Sequence, residues 1–82
     1  MNPPKRIYRQ FSGAKLKVAR QELGISREKL GPFVGCTPMP IYNWESNKRT
    51  PGGRYLNALA VQLRKKVEDF YDVSEGVGAA AT

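Results

Sequence analysis

The sequence predicts a compact all-α domain of four to five helices, and three observations carry that prediction. Apolar residues recur at helical spacing over Tyr55–Leu63, where Tyr55, Leu56, Leu59, Ala60 and Leu63 form one broad face. Helix-starting Ser or Thr and helix-ending Gly or Asn alternate along the middle of the chain. No apolar–polar alternation runs long enough to suggest a strand. At 82 residues the chain makes one small domain, and a chain of this size buries only roughly 60% of its unfolded surface, so the core has to be economical.

Taken in order, residues 1–11 (MNPPKRIYRQF) hold two prolines and three cations with no helical period, which reads as a flexible basic arm. Residues 12–72 read as the folded domain. Ser12 is placed to cap a first helix reaching Leu23, with Leu16, Ala19 and Leu23 on one stripe, Val18 beside them, and Gly24 as its left-handed stop. Ser26 opens a second helix whose Leu30, Phe33 and Val34 are expected to face inward. Pro32 keeps that helix short, and Gly35 ends it. Thr37 followed by Pro38 marks the start of a third helix, with Ile41 and Trp44 directed to the core. Asn47 is the expected left-handed terminator, and Lys48-Arg49 form a basic loop before the break at Thr50-Pro51-Gly52-Gly53. A fourth helix follows from Arg54 to Arg64, and a short fifth around Lys66–Tyr71 would dock Val67, Phe70 and Tyr71. Residues 73–82 read as a disordered tail.

Charge narrows the function. The chain carries +7, and residues 1–66 hold all fourteen Lys and Arg against only Glu22, Glu28 and Glu45. Residues 67–82 hold four acids and no base. A basic body points to a polyanion, with nucleic acid ahead of an anionic membrane surface. The single cysteine, Cys36, allows no internal disulfide and reads as packing, and the absence of histidine removes the usual zinc-ligand sets. No apolar run approaches a membrane span or a secretory signal core, so a cytoplasmic, nucleoid-associated setting is expected. Without histidine, clustered carboxylates or a phosphate-cradling loop, neither an enzyme nor a cofactor is expected.

Two short helices meeting at a glycine corner, with a basic loop just after, form helix-turn-helix geometry. At this point the chain resembles the lambda-Cro and phage-repressor (XRE-like) regulators. The resemblance runs through LKVARQELGIS (Leu16–Ser26), WESNKRTP (Trp44–Pro51) and YLNALAVQL (Tyr55–Leu63), in the family's order and spacing. It implies a lambda-repressor-like DNA-binding domain acting on double-stranded DNA, used as a homodimer on a two-fold site. Arg20 and Glu45 match the family's buried pair, and Arg27 matches a phosphate-binding position at the start of the second helix.

The third helix is then the recognition helix, and it departs from the pattern. Pro38, Met39 and Pro40 stand where the family usually has polar side chains. Thr37, Tyr42 and Asn43 remain for hydrogen bonding, Asn43 being suited to adenine. Met39 and the proline rings offer apolar contact, as to a thymine methyl. Lys48 and Arg49, with Arg27 and Arg54, are the expected phosphate contacts, and Lys5, Arg6 and Arg9 are candidates for a minor-groove arm. The function expected is transcriptional regulation, most simply repression. A helix-turn-helix module that binds protein, as an antitoxin or adaptor does, is the alternative, followed by an architectural or recombination-directing DNA binder. No small-molecule substrate is implied.

Overall fold

The computed structural model describes residues 6–76. Strand β1 (Arg6–Phe11) leads into α1 (Gly13–Glu22), α2 (Arg27–Val34), α3 (Pro38–Glu45) and α4 (Gly53–Leu63). A 3₁₀ helix (Val67–Phe70) and strand β2 (Tyr71–Gly76) complete the order. The architecture is a four-helix domain of the lambda-repressor-like kind, closed by a two-stranded antiparallel ribbon.

The caps explain the helix starts. The Ser12 and Ser26 hydroxyls accept from the backbone N–H of Lys15 and Lys29, three residues on, at 3.2 and 3.1 Å. Thr37 makes no such bond. The residue three positions after it is Pro40, which has no N–H to donate, so the second proline disables the expected cap. Gly24, Gly35 and Asn47 all adopt positive φ, and Asn47 sits at +61° as its terminator role requires.

One continuous core draws on every helix and on the ribbon. Leu16, Leu30, Ile41, Leu59, Leu63 and Phe70 are its fully buried centre. Trp44 is buried and lies 5.4 Å from Tyr55 between ring centroids, which joins α3 to α4. Phe11, also buried, meets Tyr71 edge-on at 5.9 Å and anchors the base of the ribbon.

Several expectations are corrected. Residues 6–11 are not a free arm, and residues 73–76 do not belong to a loose tail. Arg6 pairs with Gly76, Arg9 with Val73 and Phe11 with Tyr71 across β1–β2. A pairing between the two ends of the domain leaves no local periodicity to read. The fifth helix is a single 3₁₀ turn. Phe33 is 63% exposed, because the inward arc of α2 runs through Leu30, Gly31 and Val34 and turns Phe33 outward. Gly31 carries no hydrophobic signal, yet its α-carbon lies against the Cys36 carbonyl, where a side chain would overlap. In α1 the inward stripe is Gly13, Leu16, Ala19 and Arg20, leaving Val18 and Leu23 largely exposed.

Gly13 fixes how α1 meets α3. A methyl group there would overlap the carbonyl oxygens of Trp44 and Glu45, and its N–H donates to Asn47 Oδ1 at 2.9 Å. Gly13→Ala should therefore lower stability by about 1–3 kcal/mol through overpacking, despite alanine's better helix propensity. Urea unfolding of the two proteins checks this; an unchanged or raised midpoint contradicts the packing.

Candidate nucleic-acid interface

The candidate surface is the outer side of α3 together with what flanks it. Ile41, Trp44 and Glu45 face inward. On the other side Thr37, Met39 and Tyr42 are exposed, and Pro38, Pro40 and Asn43 are half-buried. All the expected base-reading residues, Thr37, Pro38, Met39, Tyr42 and Asn43, thus retain access to solvent.

What holds α3 in place is one carboxylate shared by two arginines. Arg20 Nε and Nη2 donate to Glu45 Oε2 and Oε1 at 2.6 and 3.2 Å, so the pair is bidentate. Arg20 Nη1 also donates to the Ile25 carbonyl at 2.8 Å, tying the corner between α1 and α2 to the same point. Arg27 Nε donates to Glu45 Oε1 at 2.9 Å. The Glu45 side chain is only 2% exposed, so two cations replace its water. The pair assigned to Arg20 and Glu45 is present, and Arg27 is its third member.

Arg27 also faces outward. Its guanidinium lies 5.3 Å from the centroid of the Tyr42 ring, and Lys48 Nζ lies 5.2 Å from the same centroid. Tyr42 therefore gathers two cations at the edge of α3. Lys17, a residue with no distinguishing signal in the sequence, lines a groove of about 260 Å³ with Arg27, Tyr42, Glu45 and Ser46. Only the folded arrangement of α1 against α3 brings it there. Arg27, Glu28, Pro38, Met39 and Tyr42 line a second open groove of about 280 Å³ at the start of α3.

The basic loop is folded back rather than loose. Ser46 N–H bonds the Tyr42 carbonyl at 3.0 Å, and the N–H groups of Lys48 and Arg49 both reach the Asn43 carbonyl, at 2.9 and 3.2 Å. With Asn47 Oδ1 held by Gly13, Lys48 and Arg49 are presented beside the exposed face of α3. Arg54 sits in the first turn of α4, its guanidinium 5.9 Å from the Tyr55 ring. Arg9 is exposed on β1, and that strand's pairing removes Arg6 and Arg9 from any free arm. Lys5 lies outside the described residues. Burial pushes the Cys36 thiol up from its ordinary pKa, which suits its position packed against the core.

The sequence profile of the helix-turn-helix family matches residues 16–74, so the chain belongs to that family, in its XRE/Cro-C1 branch. An uncharacterized HTH-type transcriptional regulator of Sinorhizobium medicae is 30% identical over 66 residues. That match covers 80% of this chain and 48% of the relative, so the chain spans about half the length of the curated relatives it matches. Among solved structures, the P22 c2 repressor in complex with a synthetic operator superposes with a TM-score of 0.68 at 30% identity, over 72% of this chain and 89% of that one. The restriction-modification controller protein C.AhdI of Aeromonas hydrophila shares the fold, with a TM-score of 0.66 at 22% identity over 71% of this chain and 88% of that one.

The shared carboxylate separates the roles of its two arginines. Arg20→Ala strands Glu45 against one partial partner and should cost about 3–5 kcal/mol. Arg27→Ala leaves the bidentate bond intact and should cost about 1 kcal/mol or less. Thermal or urea denaturation of both variants tests the order, and equal losses contradict it.

Proposed function

We propose that this chain is a sequence-specific double-stranded-DNA-binding transcription regulator, acting as a repressor and as a homodimer. In this reading residues 12–72 are the DNA-binding module, α3 enters the major groove, and the protein works in the cytoplasm on the chromosome. Lys48, Arg49, Arg27 and Arg54 contact phosphates, joined by Lys17. The observation that carries the reading is the convergence of Lys17, Arg20, Arg27 and Lys48 around one carboxylate, beside the exposed face of α3. Four cations around one acid leave a surplus of positive charge that a phosphate backbone would neutralise. The family, and the operator-bound P22 c2 repressor among its structural relatives, support the same conclusion.

A protein-binding module is the second reading. The specific observation in its favour is the exposure of Phe33 and Met39, each 63% accessible. The cationic edge along α3 weighs against it, since nothing in an apolar docking mode needs such a concentration of charge.

Binding to random duplex DNA at several salt concentrations decides between them. Affinity should fall steeply with salt, and Lys48→Ala and Arg49→Ala should each reduce the slope of log K against log salt by about 0.9. Absence of binding at low salt supports the protein-binding module. Selection from random duplexes should return a site with two-fold symmetry, its half-sites about 34 Å apart or a multiple of that, if two copies bind together. A single asymmetric half-site would rule out the dimer.

A further inference from the structure

The start of α3 is poor in hydrogen-bond donors, and this limits what it can read. Pro38, Met39 and Pro40 are the first three helical residues. An ordinary helix presents free N–H groups at these positions. Here the two prolines remove two of the three, and only Met39 keeps one. The Met39 side chain is 63% exposed, an unusual state for a long thioether that cores normally absorb. Pro38 and Pro40 flank it and are themselves half-buried, which holds the first turn rigid. The result is an apolar knob on a stiff base, at the end of the helix that would enter the groove first.

We propose that Met39 selects thymine, through contact with its 5-methyl group, at the base pair facing the start of α3. This rests on the DNA-binding reading above and names the base that its recognition helix requires at one position. In the major groove, guanine offers two acceptors, adenine an acceptor and a donor, and cytosine a donor. A methionine set against any of these desolvates a polar group without replacing its bond. Thymine presents a methyl group at the groove surface, which an apolar side chain can cover. Asn43 follows Met39 by four residues and Tyr42 by three, so all three share one face of α3. Selection by Met39 therefore acts next to whatever base Asn43 addresses, and the two together set a short thymine-containing core in each half-site.

The test uses the tightest duplex recovered by selection, with each thymine replaced singly by deoxyuridine, which deletes only the methyl. Wild type and Met39→Ala are titrated against the whole series. At one thymine per half-site the substitution should weaken wild-type binding roughly four-fold, the value of one buried methyl. At that position Met39→Ala should show no loss, while both proteins respond alike at every other thymine. Met39→Leu, which keeps an apolar knob, should retain the discrimination. Since Met39 is exposed, matching melting curves of the three proteins would show that folding is not the variable. Neutral deoxyuridine at every position, an equal penalty in wild type and Met39→Ala, or a selected site without thymine overturns the proposal. Those results are distinct from failure to bind any duplex, which overturns the DNA-binding reading and this inference with it.

Discussion

The Glu45 carboxylate is the point on which the geometry of this domain depends. It ends α3, it is almost entirely removed from water, and it is satisfied by Arg20 from α1 and Arg27 from α2. A buried ion pair of this kind adds little net stability over an apolar substitute, because desolvation offsets most of the attraction. What it provides is angular restraint. A bidentate guanidinium–carboxylate bond tolerates little rotation, and Arg20 also holds the Ile25 carbonyl, so three helices are oriented by one cluster. Gly13 and Asn47 complete the restraint from the other side of α3 through a close backbone approach and one hydrogen bond.

The same cluster links structure to the surface used for recognition. Arg27 is at once the third partner of Glu45 and one of two cations at the Tyr42 ring. A cation anchored at one nitrogen and resting on an aromatic face loses less freedom on meeting an anion than a free side chain does. Lys48 is similarly confined, since its backbone is bonded to α3 and its ammonium lies over the same ring. The positive edge of the domain is therefore arranged before any partner arrives. Its orientation relative to α3 follows from packing rather than from flexible charge.

Much of this was legible in the residues, and the failures have identifiable physical causes. Local signals served well: the serine caps, the left-handed glycines, Asn47 and the apolar face of α4 all lie where their spacing puts them. The Arg20–Glu45 pair came from family resemblance, since nothing local to either residue announces a partner 25 positions away. Phe33 was misjudged because the inward position belongs to Gly31, whose role is proximity and not hydrophobicity. Thr37 was misjudged as a cap because a proline three residues later removes the donor it needs. Lys17 was passed over because one lysine on an amphipathic helix resembles any other until a second helix is laid beside it.

The β1–β2 ribbon was invisible for the most general reason, since its partners stand at opposite ends of the domain. That separation orders the events of folding. Joining Arg6 to Gly76 closes nearly the whole polypeptide into a ring, and the entropy of closure falls steeply once the intervening helices have already drawn the ends together. The helical body has to condense first, and the ribbon then zips onto it from the buried Phe11–Tyr71 contact outward. It is correspondingly the segment that opens first, a shallow seam that can part while the scaffold carrying α3 stays intact.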